Sequence, residues 1–105
     1  MENAATKQLE KKPEVKIEFI LPLGGKRYFK VPLEENSFMN LDQALYKVVN
    51  TNILTGSQIK INGKDASLTD YKSLDTGDII TVEYNYPASG KEKEIPKFKI
   101  EPIKE

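Results

Sequence analysis

Leu68-Thr69-Asp70-Tyr71-Lys72-Ser73-Leu74-Asp75-Thr76-Gly77-Asp78-Ile79-Ile80-Thr81-Val82 is the stretch on which the fold turns. It reads as a tight loop feeding a buried strand. Asp70, Asp75 and Asp78 favour turns because their carboxylates bond nearby backbone. Gly77-Asp78 marks the last turn. Beyond it Ile80, Val82 and Tyr84 alternate with Thr81 and Glu83, the period of a strand with one buried face. Residues 68–74 are expected to form a loop or a single helical turn, with the Tyr71 ring packed over it and its hydroxyl bonded locally.

Working outward, Val15-Lys16-Ile17-Glu18-Phe19-Ile20-Leu21 alternates in the same way, with Val15, Ile17, Phe19 and Leu21 inward. Pro22 ends this strand, and Gly24-Gly25 offers the positive φ angles of a hairpin turn. Lys26 to Leu33 returns as a second strand with Phe29, Val31 and Leu33 inward. Pro32 sits near its end, where a missing N–H is tolerable. Asn40 then caps a helix, with Gln43 in the capping-box position. Leu41, Leu45, Val48 and Val49 form one apolar stripe, and Asn50-Thr51-Asn52 and Gly56 punctuate its end. Gln58-Ile59-Lys60-Ile61 is a short strand, closed by the tight-turn pair Asn62-Gly63.

The order is therefore strand, strand, helix, strand, loop, strand. A hairpin followed by a crossing helix gives an α+β fold, a mixed sheet with the helix on one face. Over residues 15–86 the chain resembles the ubiquitin-like β-grasp family, most specifically in Leu68-Thr69-Asp70-Tyr71 and Ile80-x-Val82. The resemblance implies a mixed four- to five-stranded sheet with one helix packed on one face. Members of that family end in a Gly-Gly tail whose carboxylate is adenylated and transferred. The sequence here runs to Pro102-Ile103-Lys104-Glu105, and its Gly-Gly pair lies in the first hairpin. Carrier chemistry is thus expected only after C-terminal trimming, for instance behind Gly90.

The family's usual binding face is an apolar patch on the open side of the sheet. Thr81, Glu83, Gln58 and Lys60 hold the matching positions here and are polar. Ile20, Tyr28 and Ile79 are the apolar residues at outward positions of three strands that lie close together in such a sheet. They are candidates for a partner-binding patch. Phe98 and Ile100, beyond a flexible Ala88-Ser89-Gly90 and the charged run 91–94, either fold back over that patch or bind a partner themselves as an added strand.

Composition bounds the rest. The chain has 105 residues, enough for one core. The expected division is a disordered lead over 1–14, the domain over 15–87, and a linker with an extended segment over 88–105. Basic and acidic residues number 16 each, so net charge is zero and nucleic-acid binding is not expected. Ile59-Lys60-Ile61-Asn62-Gly63-Lys64 with Gly77-Asp78-Ile79-Ile80-Thr81-Val82 also resembles the end of an S4-type RNA-binding domain. That family places two basic helices before this unit, whereas one precedes it here and offers only Lys47. Cysteine and histidine are absent, which removes disulfides, thiolate nucleophiles, histidine bases and Cys/His zinc sites. No run approaches the roughly 18 apolar residues of a membrane span, and the polar start lacks a signal-like apolar core, so a cytoplasmic location is expected. The resulting expectation is a non-enzymatic, protein-binding module with no cofactor and no metal. An S4-like RNA-binding accessory protein and a trimmed carrier are its alternatives.

Overall fold

Val15, Ile17 and Phe19 are fully buried, while Glu14, Lys16, Glu18 and Ile20 between them are half-buried. That alternation builds β1, Glu14–Ile20. The structure is a computed structural model that describes residues 13–22, 25–34, 38–85 and 96–104. β1 turns back through Gly25, at φ 94°, into β2, Lys26–Pro32, with Ile17 facing Phe29 and Val15 facing Val31. Gly24, the expected partner of Gly25 in the turn, lies outside the described residues.

Asn40 caps α1, Leu41–Tyr46, in a full capping box. Its Oδ1 accepts from the Gln43 N–H, and Gln43 Oε1 accepts from the Asn40 N–H, both at 2.9 Å. α1 buries Leu41, Ala44 and Leu45, and Val48 and Val49 extend its stripe into the following turn. A 3₁₀ turn, Thr51–Leu54, leads into β3, Gln58–Ile61, and β4, Lys64–Ala66. Their two-residue turn holds Asn62 at φ 52° and Gly63 at φ 85°, the left-handed pair such a turn requires. β5 is Ile79–Glu83.

The described residues thus form an α+β fold with a five-stranded mixed sheet, order β2-β1-β5-β3-β4, and one α-helix. β1 and β5 are parallel; the other neighbours are antiparallel. Val15, Ile17, Phe19, Phe29, Val31, Ile80 and Val82 line one side of the sheet and pack with the α1 residues into a single core.

Three expectations are corrected. β4 was not foreseen, because Lys64-Asp65-Ala66 has no apolar alternation; pairing with β3 across the Asn62-Gly63 turn creates it. Tyr71 is 74% exposed, and the buried residue of its loop is Leu74, whose N–H donates to the Met39 carbonyl at 2.8 Å. The domain also begins earlier than Val15: Glu14 is in β1, and the Pro13 carbonyl accepts from the Leu33 N–H. The expected lead over 1–12 and the expected linker lie outside the described residues. Among those described, no helix is long and apolar enough to cross a membrane.

Candidate functional site

The open face of the sheet carries three of the five candidate residues. Ile20 and Tyr28 are half-buried there, and Ile79 is 46% exposed. Register decides whether they meet. Tyr28 faces Glu18, Ile79 faces Lys16, and Ile20 lies between Lys26 and Glu83. Glu18 and Thr81 occupy the row between Ile20 and Ile79. Strand neighbours meet directly opposite or on the diagonal, so Ile20 and Tyr28 are within diagonal reach of each other and Ile79 stands apart.

Charge fills the space between them. Lys26 Nζ lies 3.2 Å from Glu18 Oε2, and Lys30 Nζ lies 3.8 Å from Glu14 Oε2. The Glu18 carboxylate accepts a hydrogen bond from Lys26 and attracts its charge, with a smaller pull from Tyr28, and these hold the Lys26 ammonium above its ordinary value of 10.5. At the other end of the same face Gln58 donates to Asp65 at 3.3 Å. This face is a mosaic of compensated charge with single apolar residues set into it.

The other two candidates belong to the C-terminal segment, and it runs elsewhere. The Phe98 ring packs edge-on against Phe19 at 5.3 Å between centroids and tilted against Phe29 at 4.8 Å. Phe19 and Phe29 point to the core side, so Phe98 is on the opposite side of the sheet from Ile20, Tyr28 and Ile79. Pro96 is buried beside it. The Lys99 N–H donates to the Val48 carbonyl just past α1, at 2.7 Å, and its ammonium sits 3.1 Å above the Tyr46 ring centre. Ile100 is 38% exposed. The segment closes on β2, where the Ile103 N–H donates to the Tyr28 carbonyl at 2.7 Å in an antiparallel bridge.

A surface that the sequence did not announce lies on the helix side. Phe38 is 57% exposed and Tyr46 55%. Together with Met39 they line a concavity of about 410 Å³ rimmed by Glu34, Asp42, Gln43 and Lys47. Asp42 and Tyr46 lie four apart on α1, off the buried Leu41–Leu45 stripe; Phe38 precedes the Asn40 cap, so no helical periodicity announced it.

A second concavity, about 340 Å³, separates the β3–β4 hairpin from the 70–78 loop and gathers Asp65, Asp70, Asp75 and Asp78. Its acids are engaged locally. Asp78 accepts from the Asp75 N–H at 2.9 Å and from Asn62 Nδ2 at 3.0 Å, and Asp70 accepts from the Lys72 N–H at 3.0 Å. Asp70 and Asp78 thus shape turns, Asp65 accepts from Gln58 across the hairpin, and the described residues contain no group of three or more side chains placed to hold a metal.

Compared with protein-family models, with curated proteins and with solved structures, the chain finds no match.

Proposed function

We propose that the chain is a protein-binding module on a ubiquitin-like β-grasp scaffold, without catalytic activity of its own. The scaffold reading rests on the β2-β1-β5-β3-β4 order with a parallel β1–β5 pair, added to the resemblance in residues 68–82. The binding reading rests on one observation: Phe38 and Tyr46, each more than half exposed, share a concavity. Leaving a large apolar side chain in water forgoes roughly 1.5–3 kcal/mol of burial, and aromatic anchors inside a polar rim are where interfaces concentrate their energy. Glu34 and Asp42 on the rim, with Lys47 beside them and the Lys99 ammonium over Tyr46, give the concavity both signs of charge around its apolar anchors.

The test compares binding by the wild-type chain, a Phe38→Ser/Tyr46→Ser double variant and a Lys60→Glu variant on the open face. A photo-crosslinker is placed beside Glu34 to identify the partner. The double variant is expected to lose the crosslinked partner while keeping its circular dichroism, and Lys60→Glu to retain it. Equal binding by all three, or a salt-dependent RNA gel shift with no protein crosslink, overturns the proposal.

A further inference from the structure

Residues 96–104 lie along the free edge of β2 and the end of α1. β2 alternates in its bonding: the Leu21–Gly25 and Leu33–Pro13 bonds put the odd-numbered residues of β2 in register to bond β1. The even-numbered residues Lys26, Tyr28, Lys30 and Pro32 therefore turn their backbone groups to the free edge. An exposed edge of this kind is a template for another extended chain, and Ile103 uses it through Tyr28. Three contacts at fixed spacing describe what the groove takes: a phenyl ring on Phe19 and Phe29, a cation over Tyr46 one residue later, and a strand pairing on Tyr28 four residues after that. Main-chain bonds at Val48 and Tyr28 hold the segment between them.

None of these contacts depends on covalent continuity with β5. Ten residues separate Asn85 from Pro96. A short tether of that kind keeps its ligand at an effective concentration on the order of millimolar, so the closed arrangement holds in dilute solution. What fits the groove is written in the segment itself, and a second copy carries the same segment. Equal numbers of acidic and basic residues, 16 each, leave no net repulsion between copies.

The geometry points to a self-occupied groove that exchanges: residues 96–104 of a second copy enter the space between β2 and α1, and the reciprocal swap makes a twofold dimer. Exchange repeats every contact of the closed form, so the tether alone sets the balance. The inference shares Tyr46 with the Phe38 concavity, but Phe38 makes none of the contacts that hold the segment, so Phe38→Ser separates the two readings.

Light scattering on the full chain is expected to give a monomer at about 10 μM and a growing dimer fraction toward about 1 mM. Deleting residues 88–93 is expected to produce the dimer at the lower concentration, and adding Phe98→Ala to that deletion to return it to monomer. Phe38→Ser in the deleted chain is expected to leave the dimer intact. A deleted chain that stays monomeric with its fold retained, or a dimer that survives Phe98→Ala, overturns the inference. Should the deleted chain fail to fold, amide exchange on the wild type decides. Lys99 and Ile103 amides opening about 100-fold more readily than those of Phe19 and Ile80 support a segment that detaches, and exchange in step with those core amides overturns it.

Discussion

Phe98→Ala asks whether the C-terminal segment rests on a finished domain or completes its core. The ring is half-buried and packed against Phe19 and Phe29, with centroids at 5.3 and 4.8 Å. Truncating a fully buried Phe costs about 3–5 kcal/mol. Partial burial lowers the transfer part to about 1–2 kcal/mol, and two aromatic pairs add about 1 kcal/mol in sum at the low end of their range. The expected loss is about 2–3 kcal/mol, a large share of the roughly 5–15 kcal/mol that holds a small domain together. In urea, with a slope of about 1–2 kcal/mol per molar for a chain of this size, the midpoint falls by about 1–3 M. A second measurement sharpens this. Ile103→Pro removes the N–H bonded to Tyr28 and by itself costs about 0.5–1.5 kcal/mol. If the segment leaves as a unit, no set of changes within it can cost more than its docking free energy, so the double variant loses less than the sum once that sum exceeds it. A loss below about 0.5 kcal/mol for Phe98→Ala refutes its place in the core. Full additivity of the two sets the docking free energy above their sum, and a shortfall shows that the segment has left as a unit.

Asn40→Ala removes the Oδ1 that accepts from the Gln43 N–H, leaving the residue-40 N–H to donate to Gln43 Oε1, and is expected to cost about 1 kcal/mol, read from urea unfolding, with Asn40→Ser largely restoring it. Asn62→Ala keeps a left-handed backbone without the Oδ1 that accepts from the Ile79 N–H at 2.9 Å, and is expected to cost about 1–2 kcal/mol; Asn62→Gly recovers only the backbone part. Lys26 is expected to titrate above 10.5 in the native protein and to relax toward it in Glu18→Gln, followed by NMR of its Nζ group. Because its native value is raised, the Lys26–Glu18 contribution to stability is complete below pH 10.5 and is lost as pH climbs through the native value.

Where local chemistry settles geometry, the sequence was legible. The period-two run from Val15 predicted β1 and its inward face, the Asn40–Gln43 spacing predicted the capping box, and Asn62-Gly63 predicted the hairpin turn. β4 was not legible, because Lys64-Asp65-Ala66 has no pattern of its own and becomes a strand only by pairing with β3. Tyr71 misled for a related reason: the 70–78 loop needs one buried anchor, and Leu74 supplies it. In the C-terminal segment the alternation of Phe98 and Ile100 put both on one face. A bend at Lys99 and Ile100 breaks that alternation, sending Phe98 into the core and leaving Ile100 toward solvent.

The site was the least legible part, because outward position and adjacency are separate facts. Alternation alone placed Ile20, Tyr28 and Ile79 outward. Whether they form a patch depends on cross-strand register, which no single strand encodes, and the register sets charged residues opposite each of them. A partner approaching that face would have to desolvate the Lys26–Glu18 and Lys30–Glu14 pairs for the sake of scattered apolar area, an exchange that roughly breaks even. On the helix side the balance differs. Phe38 and Tyr46 share one concavity with Glu34, Asp42 and Lys47 at its rim, so apolar burial there strips neither of those two ion pairs. Tyr46 also carries the Lys99 ammonium, which sets the C-terminal segment against that surface. A protein docking on Phe38 and Tyr46 therefore competes with, or builds on, the contact that seats residue 99, and binding at the concavity becomes coupled to whether the segment is in place.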